Sequence, residues 1–249
     1  MDRPKMNEIA IGLVVAAVVG GVALLRRQIL RLWSKRYMVE VSIEPIVGDY
    51  WSVAFAGDMP EASEIEGIEH NGSVVYDWLR AHGAVDFRGT RLRLTIRGVS
   101  DETVVVRNIR ALVKHSPPFS GTRVICQSAG AYSATLLAFD LDEQTPAGWE
   151  WREEGSLKRV GKSPFFELNN VTFARGEVHE FVIIGYAEKY LARWQLYLDL
   201  EIGKYRKSIQ LSDSDKPFET SGVPSLTFGT TLDWAWYAGA RFLPPPEFD

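Results

Sequence analysis

Apolar and polar positions follow two different regimes along the chain. From Ile9 to Leu25 they do not alternate: IAIGLVVAAVVGGVALL is an uncharged run of 17 residues between Glu8 and Arg26. As a helix it would extend about 25 Å, close to the roughly 30 Å hydrocarbon core of a bilayer, with the flanking charges at the interfaces. The run leads directly into Arg26 and Arg27 without a small-residue cleavage site, which predicts a retained anchor and not a removed signal peptide.

Beyond residue 36 the pattern becomes short stretches of period two separated by Gly, Pro, Asn and Asp. In RLRLTIRG, Leu92, Leu94 and Ile96 alternate with Arg91, Arg93, Thr95 and Arg97, the signature of a half-buried strand. In RWQLYLDLEI, Trp194, Leu196, Leu198 and Leu200 alternate with Gln195, Tyr197, Asp199 and Glu201. Further strands are predicted over 37–46, 50–57, 103–115, 132–142, 177–187 and 205–211, with a hairpin turn at Gly203. One helix is predicted over 73–82, with Asn71 or Ser73 as N-cap, Gly83 as C-cap, and Val74, Trp78 and Leu79 as its apolar stripe. The connection 143–163 carries Trp149 and Trp151, so it is expected to pack on the strands.

These elements predict a mainly β fold: an antiparallel, immunoglobulin-like β-sandwich with one short helix, behind a single N-terminal transmembrane helix. The chain then divides into a tail (1–8), the span (9–25), a basic juxtamembrane neck (26–36) and a β domain (37–249) with a Pro-rich end.

The succession VYDWLRAHGAVD, TRLRLTIRGVS, IRALV with a GTRVIC turn, FDLD, RWQLYLDL and KPFETSG resembles a group of actinobacterial proteins of uncharacterised function. In that group a β-rich domain recurs, sometimes behind a membrane anchor. The resemblance covers roughly residues 72–222 and implies the fold, without bringing a catalytic motif.

Charge adds orientation. Five cations (Arg26, Arg27, Arg31, Lys35 and Arg36) follow the span against two (Arg3 and Lys5) before it, which predicts a cytoplasmic C-terminal domain at the cell membrane. Those five and Trp33 are the expected lipid-headgroup contacts. The overall charge of −4 argues against a nucleic-acid partner. Acidity is concentrated: residues 37–79 hold nine Asp or Glu and no Lys or Arg, whereas 80–249 carries 21 of each sign. The acidic loop with Asp58, Glu61, Glu64, Glu66 and Glu69 is either a seat for a basic partner or a divalent cation, or a solvated loop that faces Arg91, Arg93 and Arg97 or is repelled by the anionic leaflet.

Recognisable chemistry is sparse. Cys126 is the lone cysteine, and His70, His82, His115 and His179 form no HxxxH pair, so neither a disulfide framework nor a zinc or other metal site is expected. Asp213 and Asp215 lack the remaining ligands of a calcium loop, and Ser128 in CQSAG lacks the first Gly of a nucleophile elbow. No nucleotide-binding loop is present, and no cofactor is expected. Asp140 and Asp142 alternate with Leu141 and could pair for acid/base work. Trp234 and Trp236 share one strand face, which is either an exposed binding platform or part of the core. With no catalytic residues assigned, the reading is a single-pass membrane protein whose domain serves as a protein-interaction or scaffolding module, partnered by the lipid bilayer and another protein. The alternative is a membrane-tethered hydrolase built on Asp140 and Asp142.

Overall fold

A computed structural model describes residues 39–47, 51–66, 72–99, 101–126, 135–153, 157–212, 216–224, 228–235 and 240–244. The predicted transmembrane helix and the neck lie outside these residues. Among the described residues, no helix is long and apolar enough to cross a membrane.

The alternation in RLRLTIRG forms β4 (Gly89–Gly98), whose even positions are buried and odd positions half-exposed. It runs antiparallel to β1 (Val39–Pro45) on one side and to β11 (Val178–Tyr186) on the other. β11 continues through β7 (Thr135–Asp140), β8 (Trp149–Glu153) and β9 (Leu157–Arg159) to complete a six-stranded sheet. The second sheet is built on the long pair β5 (Val104–Ser116) and β12 (Leu191–Ile202). Outward from β5 lies β10 (Val171–Phe173). Beyond β12 come β14 (Phe218–Ser221), β3 (Val85–Phe87), β2 (Trp51–Ala54), β6 (Thr122–Cys126), β15 (Thr230–Ala235) and β16 (Arg241–Leu243). β13 (Tyr205–Leu211) adds to β12 through the predicted hairpin, where Ile202 pairs with Tyr205 and Gly203 adopts φ +55°.

The two sheets enclose a large core, the arrangement of a β-sandwich. Leu92, Leu94 and Ile96 from β4 and Phe181 and Ile183 from β11 meet Ile109, Trp194, Leu196 and Leu198 from the second sheet, all with no measurable exposure. A second core forms where α1 (Gly72–Ala81) covers the β2–β6–β15 end. Gly83 at φ +94° closes this helix, and the Ala84 N–H returns to the Leu79 carbonyl at 3.0 Å. The buried stripe is Val75, Tyr76 and Leu79. Val74, predicted to be part of it, is 43% exposed. A second, one-turn helix, α2 (Phe165–Leu168), packs Phe165 and Phe166 against the larger core.

Three expectations need correction. The sheets are mixed, because β11–β7, β14–β3 and β15–β6 are parallel. The sixteen strands among the described residues, with their parallel pairs, also depart from the seven to nine antiparallel strands of an immunoglobulin domain. The 143–163 connection is not a loop packed on the sheet: β8 and β9 extend the sheet itself, with Trp151 opposite Leu136.

One crossing positions a cleft between the sheets. β3 belongs to the second sheet and β4 to the first, and the chain passes between them at Arg88 with φ +64°. The Arg88 N–H donates to the Ser221 carbonyl at 2.7 Å, and its own carbonyl accepts from the Ala187 N–H at 3.2 Å. Each sheet therefore holds one side of this corner.

Candidate functional site: a cleft between the sheets

The structure redistributes the residues singled out in the sequence. Asp58, Glu61, Glu64 and Glu66 are exposed, but their loop is docked, with Ala62 and Ile65 buried in the helix-side core. Glu64 accepts from the Trp78 indole N–H and lies 3.8 Å from His82, whose ring is tilted against that of Trp78 at 4.2 Å between centroids. Glu66 accepts from the Phe242 N–H at 3.0 Å. Among its described residues the loop reaches α1 and β16, while Arg93 of the arginine-rich strand lies 3.4 Å from Glu44 and 3.3 Å from Glu180. Glu69 lies outside the described residues.

The docking of this loop through Glu64 and Glu66 has a direct test. Replacing Glu64 and Glu66 together by Ala is expected to lower stability by roughly 1–2 kcal/mol, since each bond at such a site is worth about 1. Replacing Glu61 by Gln should leave it unchanged. Thermal melts of the three chains would decide, and equal midpoints would show that the loop is merely solvated.

Trp234 is 1% exposed and packs on Phe242 at 4.8 Å between ring centroids. It closes the helix-side core, which corrects the platform reading at that position; Trp236 lies outside the described residues. Arg26, Arg27, Arg31, Trp33, Lys35 and Arg36 do so as well. Asp140 ends β7, and Asp142 sits in the turn beyond it, so they do not share a strand face. Asp140 Oδ1 accepts from the Asp142 N–H at 3.0 Å. Asp142 accepts from the Glu188 and Lys189 N–H groups at 3.2 and 3.1 Å. Both carboxylates organise loops.

The feature that sequence reasoning missed lies at the Arg88 corner. A cavity of about 280 Å³ opens there between the sheets. Trp51 and Phe87 come to it from the second sheet, and Trp151, Ile184 and Tyr186 from the first. Trp151 and Tyr186 sit 5.4 Å apart over the buried patch of Leu136, Ala138 and Val182, which fixes that wall. At the rim stand the exposed Arg88 and the half-buried Arg91.

Asp86, 5% exposed, is the one carboxylate among the described residues that line the cavity. Its two oxygens accept from the Tyr76 hydroxyl at 2.6 Å and the Thr90 hydroxyl at 2.5 Å. Thr90 lies 2.6 Å from the Thr220 hydroxyl, which accepts from the Trp194 indole N–H at 3.0 Å. One proton order satisfies the whole chain: Trp194 donates to Thr220, Thr220 to Thr90, and Thr90 to Asp86, which Tyr76 caps from the other side. Such a satisfied network holds a buried carboxylate that would otherwise be costly.

Electrostatics fix the protonation of the flanking phenols. Burial, and then the neighbouring Asp86, push Tyr76 far above the usual tyrosine range. Burial and the Asp140 charge raise Tyr186 to about 12. Both rings present neutral hydroxyls at any physiological pH. The cleft thus combines aromatic walls, a carboxylate already committed to two donors, and guanidinium groups at the mouth. No family model matches the chain, and a search of curated proteins gives no match.

Proposed function

We propose that this chain is a single-pass membrane protein whose β-rich domain is a protein-interaction module, with the inter-sheet cleft as the seat for a partner's side chain. The observation that carries this reading is the cleft itself: rigid aromatic walls around a small cavity, the composition favoured for anchor residues at interfaces. At about 280 Å³ it falls just below the span of ligand pockets, roughly 300 to 1,000 Å³. That size suits one large side chain. The 17-residue apolar run and the five cations behind it support an anchor with the domain on the cytoplasmic side. A hydrolase working through Asp140 and Asp142 has less support, because both carboxylates are already held by backbone N–H groups.

The test is comparative capture of the full chain, solubilised from membranes that keep it through an alkaline carbonate wash. Trp151→Ala, which removes one wall, should lose a partner that the natural chain and Lys114→Glu, on the outer face of the other sheet, both retain. Equal recovery by all three chains would overturn the assignment of the cleft.

A further inference from the structure

From the charge and shape of the cleft, we infer that it is selective for an acidic peptide segment: an aromatic or long aliphatic side chain flanked by Asp or Glu. This rests on the reading of the cleft as a partner's seat and deepens it.

Two observations converge on a carboxylate next to an apolar group. The first is complementarity. The walls that receive an apolar group are Trp51, Phe87, Trp151 and Ile184, while the exposed Arg88 stands beside them. Asp86, the one carboxylate among the described residues that line the cavity, is buried and accepts from Tyr76 and Thr90, whereas Arg88 beside it is exposed, so the charged group that an incoming segment meets from solvent is a guanidinium. A guanidinium fork matches a carboxylate bidentately and also stacks on aromatic planes.

The second is the backbone at Arg88. This corner adopts φ +64°, a conformation that costs a side-chain-bearing residue about 1 kcal/mol relative to Gly. Gly would turn this corner more cheaply, yet the chain places its longest cation there, exposed at the cleft mouth. Strain of this kind gathers at binding sites. It also provides a clean variant, because Arg88→Gly removes the guanidinium while relaxing the backbone.

The probes are two capped peptides, acetyl-Ser-Asp-Phe-Glu-Ser-amide and its neutral twin with Asn and Gln, together with N-acetylphenylalanine. Binding to the full chain in detergent micelles would be read by calorimetry at low and at physiological salt. The acidic peptide should bind at least tenfold more tightly than its twin, with the margin shrinking as salt rises. Arg88→Gly should abolish that margin while its melting temperature stays equal to or above that of the natural chain. Equal binding of the twins, lost in Trp151→Ala, would overturn the acidic preference and leave the partner seat standing. Binding of N-acetylphenylalanine as tight as that of the acidic peptide would overturn the peptide assignment in favour of a small-molecule site. If neither peptide binds, the acidic-segment inference fails; cleft-dependent capture of a partner then separates that failure from failure of the interaction reading.

Discussion

Substituting Gly185 by Ala is expected to destabilise the domain by about 3 kcal/mol, the upper part of the range for overpacking a closed core. Gly185 lies in β11, paired with Thr90 of β4 on one side and Phe139 of β7 on the other, so its backbone cannot retreat. A methyl group there would lie 2.6 Å from Cζ2 and 2.9 Å from Cη2 of Trp194, and 3.0 Å from Leu141. Trp194 cannot yield, since it has no exposed surface and its indole N–H is held by Thr220. The atoms that clash belong to the outer ring of the indole, which Phe lacks. Trp194→Phe alone should cost about 2 kcal/mol for the lost volume and hydrogen bond. Combined with Gly185→Ala, it should give a chain more stable than the sum of the two losses implies, by at least about 1 kcal/mol. Denaturant unfolding of the four chains measures the coupling. Additive losses would show that Trp194 is not what excludes the methyl.

That pair also shows which parts of the structure were legible beforehand. Leu92, Leu94 and Ile96, and likewise Trp194, Leu196, Leu198 and Leu200, were readable as inward faces because period two alone determines which side of a strand is buried. Period two does not determine which strand lies alongside. β11 pairs antiparallel with β4 and parallel with β7, and neither direction leaves a mark in the alternation of its own residues. Strands of three or four residues, such as β3, β10, β14 and β16, are too short to show a period. In α1 the Gly83 stop placed the end of the helix correctly, whereas Ser73, one of the two predicted N-caps, lies inside it. Its rotation depended on what covered it, and the loop with Ala62 and Ile65 turned Val75 and Tyr76 inward instead of Val74.

The cleft was illegible for the same reason. Its walls come from Trp51, Phe87, Trp151 and Tyr186, distant positions that meet only because the chain changes sheets at Arg88. VDFRG carries no turn signature, because a Gly or Asn would be the expected residue where Arg88 takes positive φ. The residues that did stand out, Asp140, Asp142, Glu64 and Glu66, carry carboxylates that accept backbone or indole N–H groups. Loop-ordering carboxylates and catalytic ones look alike in a sequence. Only the direction of the donors separates them.

Replacing Tyr76 by Phe is expected to cost about 2 kcal/mol at neutral pH, because it leaves one oxygen of the buried Asp86 without its donor. The loss should shrink at alkaline pH, and this convergence distinguishes a hydrogen-bond effect from a packing effect. In the unfolded chain Tyr76 ionises near the ordinary value of 10.0, whereas in the fold burial and Asp86 keep the phenol protonated well beyond it. The folded state therefore holds one more proton than the unfolded state above pH 10, and its stability falls by about 1.4 kcal/mol per pH unit from this group. The contribution is whole below pH 10 and declines as the pH climbs toward the raised folded value. The Phe chain lacks this group and is spared that decline, while the other tyrosines, Tyr186 included, titrate in both chains and cancel in the difference. The two stability curves should thus approach one another between pH 10 and 11.5, which urea unfolding across that interval would reveal. A gap that stayed constant through pH 11 would show that the Tyr76 phenol ionises as easily in the fold as outside it, and would remove the network's claim to hold Asp86.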